Sequence, residues 1–126
     1  MRLIRVALLS VVAATAFACG SYDSPSTPTP MATANPTSGP TVSIVSGSST
    51  MTTTAYAPNP VNVAVGGTVT WVNNDNTAHT STATGGVFDS GMIAPGGNFS
   101  RTFPSAGSFP YHCTIHPGMV GTVNVQ

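Results

Sequence analysis

From about Val61 to the C-terminus, apolar and polar side chains alternate in short runs cut by glycine and proline, a period of two that suits strands and not helices. Val61, Val63 and Val65 alternate with polar or small residues, Gly66-Gly67 interrupts the run, and Val69 and Trp71 resume it. Two glycines able to take positive φ between two alternating runs predict a β-hairpin. Pro95-Gly96-Gly97 predicts a second turn, followed by Phe99 and Phe103. Ser105-Ala106-Gly107 predicts a third, after which Phe109, Tyr111 and Cys113 share one face. A last strand runs from Gly121 to Val125 with Val123 and Val125 inward. No window places apolar residues at helical spacing over three turns. Short strands at regular spacing, joined by such turns, predict an all-β sandwich. Arg101 fits this pattern poorly, because strict alternation puts it on the same face as Phe99 and Phe103. It is expected either to snorkel at the sandwich edge or to be turned outward by a bulge.

The first forty residues have a different character. Arg2 and Arg5 precede an uncharged stretch from Val6 to Ala18, too short for the ~20 residues that a spanning helix needs. With the small-residue site Ala16-Phe17-Ala18, residues 1–18 read as a secretory signal. Cleavage there leaves Cys19 first, followed by Gly20, which resembles a bacterial lipoprotein signal in which the cysteine is acylated. Ala16 departs from that pattern, which usually has Leu three residues before the Cys. Residues 19–40 hold five of the eleven prolines with many Ser and Thr, and cannot bury enough surface to offset their ordering entropy. They are expected to form a disordered tether, leaving residues 41–126 as the folded domain of an exported protein, periplasmic or at the cell envelope.

Export also changes the charge. Of the three basic residues only Arg101 remains, against Asp23, Asp75 and Asp89, for a net charge of −2. A nucleic-acid binder needs clustered Lys and Arg to neutralise phosphates, so that class is excluded. Two cysteines in a compartment that permits disulfides raise a Cys19–Cys113 bridge. Cys19 begins a flexible tail, however, and Cys113 ends an apolar strand among histidine and methionine. A lone thiol in that setting calls for another explanation.

The explanation lies in Tyr111-His112-Cys113-Thr114-Ile115-His116-Pro117-Gly118-Met119. Here a thiol, an imidazole and a thioether stand at the spacing C-x2-H-x2-M. Soft sulfur donors with imidazole favour copper, and a His2Cys plane with a weak axial Met is the donor set of mononuclear electron-transfer copper sites. Fully extended, the six steps from Cys113 to Met119 would span ~20 Å, so the chain must curl to share an ion. Pro117 restricts His116 before it, and Gly118 allows the turn. The second imidazole must come from elsewhere. His79, after the polar turn Asn73-Asn74-Asp75-Asn76-Thr77-Ala78, is the best donor available. His112 alternates with Cys113 and is expected to face outward, and Met92 is expected in the core or at the rim.

On these residues, segment 41–126 resembles the cupredoxins of the plastocyanin and amicyanin kind. Tyr-His-Cys-Thr-x-His-Pro-x-Met is especially similar to amicyanin, and Val-Gly-Gly-Thr-Val-Thr-Trp-Val-Asn-Asn and Ala-Pro-Gly-Gly extend the likeness. The resemblance implies a Greek-key sandwich of about eight strands with one copper ion at one end, bound by His79, Cys113, His116 and Met119. Many relatives place Asn directly after the first His ligand, where it braces the ligand loops and donates a backbone N–H to the thiolate. Thr80 stands there, so the N–H is retained and the side-chain bracing is in question.

The implied function is one-electron transfer by a monomer, through redox partner proteins docking on an apolar patch around His116 formed by Ile115, Pro117, Gly118 and Met92. A copper carrier or buffer would use the same four donors, but such proteins often have extra exposed Met or His clusters. A copper enzyme would need further coppers and more histidines than the three present.

Overall fold

The computed structural model describes residues 39–126, and the expected signal, Cys19 and nearly all of the expected tether lie outside them. Eight strands form: β1 (Thr41–Ile44), β2 (Tyr56–Ala57), β3 (Val61–Val63), β4 (Thr68–Asn73), β5 (Thr82–Ala83), β6 (Asn98–Thr102), β7 (Gly107–His112) and β8 (Val120–Val125). They make two four-stranded sheets, in the orders β2-β1-β4-β6 and β3-β8-β7-β5. β1 runs parallel to β4 and β3 parallel to β8, and the other neighbours are antiparallel. Among the described residues the only helical element is one 3-10 turn, Ser48–Thr50. This is the all-β sandwich that the alternation predicts. Of the last two residues of the expected tether, Pro40 is already tied down, its carbonyl accepting the Thr70 N–H at 3.1 Å.

The alternation works because each strand gives one face to the core between the sheets. In β4 Val69 and Trp71 are buried and in β8 Val123 and Val125 are, while the residues between them are partly exposed. Trp71 sits at the middle, with the Tyr111 ring of the opposite sheet edge-on at 5.4 Å and Phe88 at 5.5 Å. Removing a large apolar side chain from water contributes about 1.5–3 kcal/mol. Seventeen buried apolar residues, large and small, make one continuous core among the described residues, so the sandwich itself can hold the end loops in place.

The Gly66-Gly67 hairpin does not form. β3 and β4 lie in different sheets, so the turn crosses the sandwich and does not join paired neighbours. Gly66 takes φ +79, as the turn requires, and its N–H donates to the Phe103 carbonyl at 2.7 Å. The pattern could not tell the two cases apart, because strands in opposite sheets bury alternate residues just as hairpin strands do. Val65, past the end of β3, is 51% exposed. Arg101 pairs with Val69 in the β4–β6 register, yet its side chain is exposed. It lines a shallow pocket with Val87, Phe103 and Phe109, as an edge residue that keeps its charge in water does.

Candidate metal centre

Three stretches of chain meet at one end of the sandwich. The first is the turn after β4. Asn73, fully buried at the strand's end, organises it: its side-chain N–H groups donate to the Thr77 and Ile93 carbonyls at 2.8 and 2.9 Å, and its Oδ1 accepts the Asp75 N–H at 2.9 Å. The turn delivers His79, whose backbone exchanges two hydrogen bonds with Ile93, at 3.1 and 2.7 Å. His79 is wholly buried.

The second stretch is the loop after β7. Cys113 follows the strand directly and is buried. The expected curl is present: the Cys113 N–H donates to the Met119 carbonyl at 3.1 Å, and the Met119 N–H to the His116 carbonyl at 2.9 Å. Met119 is buried, while His116 is partly exposed.

The imidazole Nδ1 atoms of His79 and His116 each lie 3.8 Å from Cys113 Sγ. The donor atoms of these three residues are all within 4.8 Å of one another. Around a first-row ion with bonds of ~2.3 Å to sulfur and ~2.0 Å to nitrogen, a trigonal plane would separate sulfur from nitrogen by ~3.7 Å. The two sulfur–nitrogen spacings therefore suit a small ion, and the soft thiolate, with a buried thioether on the same loop, fits copper. His112 stands outside this cluster, partly exposed opposite Thr82 and Val120. Met92 is 67% exposed, at the rim and not in the core.

The third stretch, the 3-10 turn, supports the other two, and here the structure adds residues that the sequence reading did not single out. His79 turns its Nε2 toward Asp75 Oδ2 at 2.9 Å and Ser48 Oγ at 3.1 Å. The Gly47 N–H beside Asp75, followed by the His79 ring, holds that carboxyl well below the usual carboxylate range. The sequence does carry a signal for Asp75, an acid four positions before a candidate ligand. It carries none for Ser48, which lies 31 residues from His79.

Thr80 settles the question its position raised. Its backbone N–H donates to Cys113 Sγ at 3.3 Å, and its Oγ1 accepts the Thr114 N–H at 2.9 Å. A threonine hydroxyl thus ties the two ligand loops together. From the other side, the Tyr56 hydroxyl donates to the Thr80 carbonyl at 2.6 Å, and burial pushes that phenol well above its ordinary range, so it remains a donor.

Residues 41–126 match the family model described as copper binding proteins, plastocyanin/azurin family. The chain is 37% identical over 76 residues to amicyanin of Paracoccus denitrificans, a match covering 56% of this chain and 58% of that protein. It is 34% identical over 89 residues to plastocyanin of Scenedesmus fuscus, covering 86% of that protein. Among solved structures, a purple cupredoxin from Nitrosopumilus maritimus superposes with a TM-score of 0.63 at 31% identity, covering 68% of this chain and 98% of the other. The Cu(I) form of an amicyanin variant superposes at 0.61 and 33%, covering 71% of this chain and 83% of the other.

Proposed function

The chain belongs to the plastocyanin/azurin family of copper-binding proteins, and from that premise we propose that it carries single electrons on one copper ion bound by His79 Nδ1, Cys113 Sγ, His116 Nδ1 and Met119 Sδ. The observation that carries this reading is the convergence of three donor atoms within 4.8 Å on a loop pair already closed by hydrogen bonds. Bound copper supplies a one-electron couple between Cu(I) and Cu(II). The chain's own part is to keep the donors in one arrangement through both states, so that little reorganisation accompanies transfer. Burial of His79, Cys113 and Met119 excludes water from three of the four donors.

His116 is the one partly exposed donor, and it is the electron's port to the surface. Ile115, Pro117 and Gly118 on its own loop are exposed, and so is Met92, next to the Ile93 that pairs with His79. They form an apolar rim on which a redox partner protein docks. Export, with a tether and a lipid anchor at Cys19, belongs to the same proposal and is supported by the sequence of residues 1–40. Buried donors in a closed loop favour a relay over a carrier, which must surrender its ion. The proposal describes an electron carrier, not an enzyme.

Addition of Cu(II) to the purified protein tests it. An intense visible thiolate-to-copper band is expected, which Cys113→Ser abolishes, together with a reversible one-electron wave in voltammetry. Absence of the band defeats the copper assignment, and a band without a reversible wave favours a carrier.

A further inference from the structure

Asp75 is, among the described residues, the one buried carboxylate. Its relative exposure is 5%, and Asp89, the other described acid, is exposed. A buried carboxylate is costly unless its oxygens are satisfied, and those of Asp75 are. Oδ1 accepts the backbone N–H groups of Gly47 at 3.0 Å and Asn76 at 2.8 Å. Oδ2 accepts the Ser48 hydroxyl at 3.1 Å and faces His79 Nε2 at 2.9 Å. Backbone from two separate loops thus fixes the carboxylate before any side chain is considered.

This fixes the His79 ring in turn. A carboxylate only accepts, and the Ser48 hydroxyl has its proton turned to Asp75, so its oxygen can also only accept from the ring. Both groups facing Nε2 therefore require a proton on that nitrogen. Nδ1 is left with its lone pair, and it is Nδ1 that stands 3.8 Å from Cys113 Sγ. The ring has its ligand tautomer without help from an ion.

Charge is the second consequence. Two neutral imidazoles, a neutral thioether and one thiolate bring a single negative charge to the ion. Asp75 adds another one hydrogen bond away, at a site closed to water, where electrostatic coupling is strong. A carboxylate on the far nitrogen of a metal-bound histidine also makes the imidazole a better donor. Both effects favour the more highly charged metal state.

We propose that Asp75 is a positioning residue that locks His79 in its Nδ1-ligating tautomer and biases the bound copper toward Cu(II), lowering its reduction potential. This rests on the copper reading above, and the experiment separates the two. In Asp75→Asn, which keeps size but removes charge, the ratio of Cu(I) to Cu(II) affinity should rise at least tenfold, a potential increase of about 59 mV for one electron. Ser48→Ala keeps the carboxylate and should move the ratio less. A preserved thiolate band with a ratio changed less than threefold in Asp75→Asn overturns the proposal, as does an equal or larger shift in Ser48→Ala. If the unsubstituted protein shows no thiolate band, the copper reading falls first and this one with it.

Nitrogen NMR of the metal-free, unsubstituted protein tests the tautomer even if Asp75→Asn does not fold. His79 should carry its proton on Nε2 at neutral pH, and a proton on Nδ1 would refute the lock.

Discussion

Thr80 shows how one side chain can take over a role usually discharged by a larger one. Its hydroxyl is the acceptor for the Thr114 N–H, and its backbone N–H points at the Cys113 sulfur. Thr80→Val keeps the shape and the backbone N–H but deprives Thr114 of its partner. Thr114 is exposed and the bond part-buried, so its loss costs about 1 kcal/mol, the low end for an unpaired donor. Chemical denaturation of the metal-free protein should show a loss of that size for Thr80→Val and a much smaller one for Thr80→Ser. An unchanged Thr80→Val would mean that the hydroxyl braces nothing.

At the level of elements, the pairing of β7 with β8 carries the site, because Cys113 leaves one strand and Met119 enters the other. Gly121 stands directly opposite Tyr111 in this register. The Tyr111 ring folds across it, with the Tyr56 ring edge-on at 4.8 Å and Trp71 beyond. A Cβ on residue 121 would come within 2.8 Å of Tyr111 Cε2 and closer still to the ring's hydroxyl end. The ring is boxed in and cannot swing aside. Gly121→Ala should therefore destabilise the protein by about 1–3 kcal/mol, the usual cost of overpacking a filled core. A shift in denaturation midpoint at unchanged slope would register it, and a neutral Gly121→Ala would show that the β7–β8 contact has slack.

For the molecule as a whole, scarcity of charge is the dominant surface property. Arg101 and Asp89 are the exposed charged side chains of the described residues, since Asp75 is buried. Ile115 and Met92, 44% and 67% exposed, stand at the copper pole. On the docking surface proposed above, an encounter would be governed by apolar contact and not by long-range steering. Raising ionic strength from ~0.01 M to ~1 M shortens the screening length from ~30 to ~3 Å. Electron self-exchange over that range should change by less than about threefold, where steered association would change far more. A steep salt dependence would move the docking surface away from this pole.

The sequence by itself determined the sandwich and the C-terminal part of the site. A period of two survives into the fold because each strand has one wet and one dry face, and Pro117-Gly118 between His116 and Met119 forces the curl locally. His79 could be nominated by shortage of imidazoles, but its place beside Cys113, 34 residues away, exists only once the two sheets close. The same holds for the Gly66 turn, whose glycines permit a hairpin and a crossing equally, and which the opposite sheets resolved. Ser48 was decided by tertiary structure alone, and Asp75, four positions before His79, was hinted at by spacing but decided by burial. A carboxylate in a polar turn looks like any solvated acid until a neighbouring loop buries it, and hydrogen bonds across such distances leave no periodic trace in the chain.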